Sequence, residues 1–230
     1  MHRWLSTEVF DFAEASHDAY GRLADPVVHR RRVLFVKPRY WVVIDDLEGR
    51  AEHTVELRFQ FAPIKVTVDP DLWARAHLAG GGGLLIRSLA TVPLKGEVHE
   101  GEVASIKGWI SPDYGRRLPA PMVTYSTVTC LPLRVMTILL PTENPLVSPP
   151  AVSPLGDRDP GSVGVVFGDD EELVRVGEQY IIVEPGKPRV RSRSASGQPH
   201  GVCDSDVRPS LRFPAIPMIQ DRPRRVCGHE

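Results

Sequence analysis

Apolar and polar positions alternate with a period of two along much of the chain. In HTVELRFQFAP, His53, Val55, Leu57, Phe59 and Phe61 fall on one face, and Thr54, Glu56, Arg58 and Gln60 on the other. That is the pattern of an antiparallel strand with one buried and one wet face. IKVTVD repeats it through Ile64, Val66 and Val68. RVLFVKPRYWVVID reads as a hairpin, Arg32–Val36 and Tyr40–Asp45, with Pro38 fixing φ in the turn. Further strands are predicted at Leu84–Ser88, Glu97–Glu102, Met122–Cys130, Arg134–Leu140, Val163–Phe167 and Gln179–Val183. Turn signals separate them at Asp69-Pro70-Asp71, Gly80–Gly83, Ser111-Pro112-Asp113 and Leu131-Pro132. Helical signals are confined to Ser6–Ala15, where Ser6 and Glu8 fit a helix start. The same residues also alternate as a strand through Val9, Asp11 and Ala13.

About nine or more short strands with little helix predict an all-β fold, a sandwich or a barrel. An antiparallel β-sandwich is preferred because several strands carry one polar face. It is expected to occupy residues 1–183. Thr142–Gly161 is rich in proline and reads as an exposed loop or linker. Residues 184–230 have few apolar side chains and much Arg, Ser, Gly and Pro. Such a segment buries too little surface to offset the entropy of ordering, so it is expected to be a disordered tail. No internal repeat is evident.

Composition narrows the function classes. The chain has 230 residues, 42% hydrophobic and 25% charged, with 28 basic and 29 acidic side chains and a net charge of −1. A dedicated nucleic-acid protein usually has a basic excess. The three cysteines, Cys130, Cys203 and Cys227, are too few and too scattered for a disulfide framework or a zinc knuckle. Cys203 and Cys227 are the pair that an ordered tail would join. No run approaches the ~18 apolar residues of a membrane span. The N-terminal MHRWLSTEVFDFAEASHD has acidic residues where a signal peptide has an apolar stretch. As written, the chain is expected to enter no export pathway, and it begins abruptly.

Chemical motifs are sparse. The eight histidines form no HxH or HExxH pair, and no cysteine pair has zinc spacing. There is no GxSxG elbow. Gly80–Gly83 lacks the Lys-Ser/Thr and helix of a phosphate cradle and reads as a flexible turn. Two constellations remain. The first is the basic cluster Arg22, His29, Arg30, Arg31, Arg32 and Arg39. Alternation puts Arg30 and Arg32 on one face and His29 and Arg31 on the other. Charges on both faces at a strand's start suggest a sheet edge or mouth. The planar guanidinium suits carboxylates and sulfates. The alternative is a solvated strand end paired with Asp45, Asp46, Glu48 and Glu56. The second is GWISPDYGRRLPAPMVTYS, where Trp109, Tyr114, Arg116 and Arg117 sit among turn formers. Aromatics with arginine in loops suit acidic sugars, and the alternative is a packed loop closing the sandwich. Arg30, Arg32, Trp109, Tyr114 and Arg116 are the candidate substrate-binding residues.

SHDAYGRLADPVVHRRRVLFVKPRYWVVIDDLEGRAEHTVELRFQFAP, followed by GWISPDYGRRLPAP, resembles the C-terminal β-sandwich region of heparinase II/III-like polysaccharide lyases. Most of the match lies in His17-Asp18-Ala19-Tyr20, His29-Arg30-Arg31, Tyr40-Trp41-Val42-Val43 with Asp45 or Asp46, and His53. The family more often has Gly at the place of Ala19. The resemblance runs from Trp4 to the strand near Val183.

The resemblance implies a bacterial two-part enzyme that cleaves acidic polysaccharide by β-elimination. An N-terminal α/α toroid would supply a catalytic Tyr, a His and an Asn. The sandwich would supply a further His and a divalent-metal site, from an HxH-and-Asp block followed by His-Asn-Thr. Neither the block nor His-Asn-Thr occurs here. His17, His29 and His53 are therefore not those residues, and no catalytic or metal residue is placed on this chain. The expectation is a partial sandwich lacking its first strands and the toroid, without a cofactor of its own and inactive alone. Full-length members are often exported or periplasmic. The rival expectation is a non-catalytic carbohydrate-binding or structural β-sandwich fragment.

Overall fold

The computed structural model describes residues 2–154, 162–167, 170–177, 181–185 and 216–220. The chain divides into two compact units, residues 1–147 with 209–230, and residues 148–208. The division falls inside the proline-rich stretch. Among the described residues every regular element is a strand, and every pairing is antiparallel.

The first unit begins with β1 (Arg3–Ser6), β2 (Phe10–Tyr20), β3 (Val27–Val36), β4 (Tyr40–Glu48) and β5 (Glu52–Gln60). It continues through β6 (Lys65–Val68), β7 (Ala74–His77), β8 (Gly83–Ala90) and β9 (Lys95–His99). A short hairpin follows, β10 (Trp109–Asp113) and β11 (Arg116–Pro119), then β12 (Met122–Cys130) and β13 (Leu133–Thr142). The second unit holds β14 (Ala151–Pro154), β15 (Ser162–Phe167), β16 (Asp170–Val176) and β17 (Ile181–Pro185), a four-stranded meander in that order. β18 (Ile216–Gln220) returns to the first unit and pairs with β5.

Two sheets build the sandwich of the first unit. One has eight strands in the order β1-β2-β3-β4-β13-β8-β7-β6, the other four in the order β18-β5-β12-β9. Alternation decides what lies between them. Val55, Leu57, Phe59, Val123 and Tyr125 of the smaller sheet meet Val27, Val33, Val43, Leu47 and Val135 of the larger one in a single core. The Tyr125 hydroxyl stitches the layers, lying 2.9 Å from the carbonyl oxygens of Leu72 and Ile86. Its burial pushes the phenol pKa up.

The larger sheet departs from the one-wet-face expectation. Phe12, Leu34, Val36, Val42, Ile44 and Ile138, on its opposite face, are at most 1% exposed. With both faces buried, its central strands read as near-continuous apolar runs. Ser6–Ala15 is strand rather than helix, split between β1 and β2. The segment after Gly108, read as a loop because of Pro112 and Gly115, is the β10–β11 hairpin. β1 before Ser6, β7, β14, β16 and β18 were not anticipated. Cys130, ending β12, is disulfide-bonded. Cys203, Cys227 and most of the expected tail lie outside the described residues.

Candidate functional site

His29, Arg30, Arg31 and Arg32 of the basic cluster lie inside the larger sheet, not at its edge, whereas Arg22 and Arg39 are exposed in the turns that flank β3. β3 is flanked by β2 and β4. The tight turn, closed by Arg39 N–H donating to Val36 O at 2.8 Å, sets Arg30 opposite Asp46 and Arg31 opposite Asp45. On one face Asp46 accepts from Arg32 and Arg134, with Arg30 Nε 3.5 Å away. Arg32 is only 1% exposed, so no external sugar reaches it. Arg30 remains partly accessible, with Glu14 4.0 Å from its Nη1. Burial alone would raise the Asp46 pKa, but the Arg134 and Arg32 hydrogen bonds and charges hold it below the ordinary carboxylate value.

The other face of β3 carries a relay that sequence reasoning did not assemble. The Ala19 N–H lies 3.3 Å from His17 Nδ1 and donates to it, so neutral His17 carries its proton on Nε2. That proton points at His29 Nδ1, 3.0 Å away. His29 in turn donates from Nε2 to Asp45 Oδ1 at 2.7 Å. Arg31 closes the cluster, with Nε 2.6 Å from Asp45 Oδ1 and Nη2 2.9 Å from Oδ2. His17 is exposed, His29 and Asp45 buried. Although His17 is exposed, partial desolvation of its ring, followed by the adjacent His29, lowers its pKa from the ordinary value.

A second buried histidine pins the connection from β4 to β5. Asp25 Oδ2 accepts from the backbone N–H groups of Arg50 and Ala51 and from His53 Nε2, all at 2.9 Å. The Arg50 backbone bond, then His53, draw the Asp25 pKa down to about 2.

These shifts fix a pH dependence. The folded His17 pKa lies below 6.5, so its stabilising contribution is complete above 6.5 and declines as pH falls below it. Asp25, Asp46 and Glu56 also have lowered pKa values. Their contributions are present above the ordinary carboxylate range and are lost as pH falls through the folded values. The thermal midpoint should fall steadily from about pH 7 to about pH 3, and His17→Asn should flatten the upper part of that decline. A midpoint that rises on acidification would contradict this assignment.

The β10–β11 hairpin carries the other predicted residues. Gly108 starts it at φ 72°, and its carbonyl accepts from Gly101 N–H at 2.8 Å and Ala120 N–H at 3.0 Å. Trp109 Nε1 donates to the Glu102 carbonyl at 2.9 Å, which fixes the indole by its edge. The Arg117 guanidinium carbon lies 3.9 Å from the centroid of the indole ring. Tyr114 and Gly115 form the turn, with Gly115 at φ 72° and Tyr114 fully exposed. Arg116 is exposed and sits 3.5 Å from Asp113. Trp109, Tyr114 and Arg116 therefore share one projecting element, whereas Arg30 and Arg32 belong to the larger sheet.

Among the described residues, no group of three or more His, Cys, Asp or Glu stands ready to hold a metal ion. The atoms of His17, His29 and Asp45 that face one another are already engaged, so this cluster does not fit the metal implied by the resemblance. An apolar pocket of about 400 Å³ lined by Trp41, Phe61, Leu78, Leu84 and Leu139 has no cationic wall for an acidic sugar.

The fold defines an all-β, two-sheet domain. Residues 2–149 match the family model for the heparinase II/III-like C-terminal region, and the chain belongs to that family. Its fold is similar to that of heparan sulfate lyase HepC from Pedobacter heparinus, at 19% identity and a TM-score of 0.58, covering 80% of this chain and 27% of that one. A mutant of the same lyase gives a TM-score of 0.60 at 19% identity, with the same coverage. A heparinase III gives 0.56 at 16% identity, again over 80% of this chain and 27% of the other. The chain thus spans about a quarter of the length of these structures. No curated protein matches it.

Proposed function

We propose that this chain is the sheet domain of a polysaccharide lyase that cleaves an acidic polysaccharide by β-elimination, and that it forms scaffold and part of the sugar-binding surface rather than the catalytic centre. The family match over residues 2–149 carries the reading. The projecting hairpin supports it, because Tyr114 and Arg116 are held out in solvent where a chain-like ligand can reach them. Arg30 is an accessible cation of the larger sheet. Arg32 acts as a buried ion-pair partner.

β-Elimination needs a base at the proton beside a uronate carboxylate and an acid at the leaving oxygen, converging on one cleft. Here the one exposed member of the histidine relay is engaged by His29 and Ala19. The chain alone should release no unsaturated uronate from heparan sulfate or alginate. Growth of the corresponding ultraviolet absorbance with the purified chain would overturn this part of the reading. A non-catalytic carbohydrate-binding domain is the second reading, favoured by the same hairpin, and it too requires sugar binding.

A further inference from the structure

Trp109 is a candidate substrate-binding residue by sequence, but Arg117 already covers one face of its ring. Three further arginine–aromatic contacts among the described residues, Arg3 on Phe12, Arg39 on Tyr40 and Arg87 on Trp73, have centroid distances of 5.1, 5.6 and 5.8 Å, against 3.9 Å for Arg117 on Trp109. At 3.9 Å the guanidinium is in close contact with the ring, held by the indole π-system.

The support beneath it is rigid. The indole edge is fixed by the Glu102 carbonyl, and the strand start by the two N–H groups converging on Gly108 O. A Cβ on Gly108 would stand 2.4 Å from His99 O and 2.5 Å from Glu100 Cα. Only glycine therefore allows the chain to enter the hairpin at this point. A fixed ring fixes the cation on it and lowers the entropy lost when an anion binds.

Arg117 also differs from its neighbours in what it pairs with. Arg116 has Asp113, Lys107 has Glu56 and Arg58 has Glu56. Among the described residues no carboxylate stands in ion-pair reach of the exposed Arg117. Its planar edge presents parallel N–H donors of the kind that match two oxygens of one anion. Arg116 and Arg117 are adjacent on β11 and so point to opposite faces. They do not converge on one group.

Resting on the polysaccharide reading above, we propose that Arg117, held over the Trp109 ring, recognises one sulfate or carboxylate of the bound sugar chain, and that Trp109 is its positioning residue rather than a sugar-stacking platform. Arg116 then adds only general attraction.

The test is a calorimetric titration of the full chain with a size-defined heparan sulfate oligosaccharide. Arg117→Ala should weaken binding about tenfold or more, as expected for loss of a charge-assisted pair. Arg116→Ala should weaken it by about threefold at most. Trp109→Leu should match Arg117→Ala, the double variant should lose little more than either, and Trp109→Phe should restore most of the affinity, which a merely structural loss would not predict. A desulfated oligosaccharide identifies the anion. If the Arg117→Ala defect vanishes on it, the partner is sulfate; if the defect persists, carboxylate; either supports the proposal. Wild-type binding with no Arg117→Ala defect would overturn the proposal and leave the polysaccharide reading standing. An Arg117→Ala defect without a Trp109→Leu defect would overturn the positioning role. Failure of the wild-type chain to bind either oligosaccharide would remove the reading and the proposal together.

Discussion

Asp46→Ala should destabilise the first unit by about 4 kcal/mol, the range for removing one partner of a buried ion pair. Asp46 is 7% exposed and is shared by Arg32 and Arg134, with Arg30 close by. Its removal takes away the carboxylate against which Arg32 is buried, and a guanidinium held out of water without that charge is costly. Arg32→Met should cost less, because Asp46 keeps Arg134 and Arg30 while a side chain of similar length fills the space. The ordering of the two variants by urea midpoint is the informative result. Equal losses would mean that the Arg32–Asp46 charge pair carries the effect and that Arg134 and Arg30 do not sustain Asp46 without it.

Gly108→Ala should cost about 3 kcal/mol, combining a left-handed backbone with a backbone collision. At φ 72° any side chain is strained. The new Cβ would also meet backbone atoms of His99 and Glu100 at 2.4 and 2.5 Å, which cannot rotate away as a side-chain tip would. Relief requires the start of β10 to move, carrying Trp109 off the Glu102 carbonyl. The variant should therefore lose stability and, in the same sample, show a red shift in tryptophan emission. Gly115→Ala is the control: its φ is also 72°, yet nothing lies within 4 Å of the added Cβ. It should cost only about 1 kcal/mol, from backbone strain alone. Similar losses at both sites would show that the collision at Gly108 is relieved without displacing the hairpin.

Much of the fold was legible where the two faces of a strand differ in polarity. β5 alternates cleanly because Thr54, Glu56, Arg58 and Gln60 lie on the face away from the core that Val55, Leu57 and Phe59 build. The central strands of the larger sheet were harder. Both of their faces are buried, so the arginines on β3 looked like surface charge when they are interior pairs. The information was nonetheless present: counting outward from Pro38 places Arg31 opposite Asp45 and Arg30 opposite Asp46. His17 meets His29 only through the register of β2 on β3, which no local pattern specifies. The hairpin escaped notice because Pro112, Gly115 and Pro119 resemble loop residues. Here they serve a bulge and a tight turn, with Ser111 Oγ donating to the carbonyls of Asp113 and Arg116 at 3.0 and 2.9 Å. Arg117 was noticed with its neighbours, but the contact that distinguishes it depends on how β10 and β11 are paired.

The central claim is that this sheet domain contributes a binding surface for an acidic polysaccharide. Titration of the wild-type chain with a heparan sulfate oligosaccharide, repeated across a series of salt concentrations, tests it most directly. The account expects saturable binding that weakens steadily as salt screens the hairpin cations, over a Debye length of about 10 Å at 0.1 M. Absence of binding at low salt, or binding indifferent to salt, would contradict it.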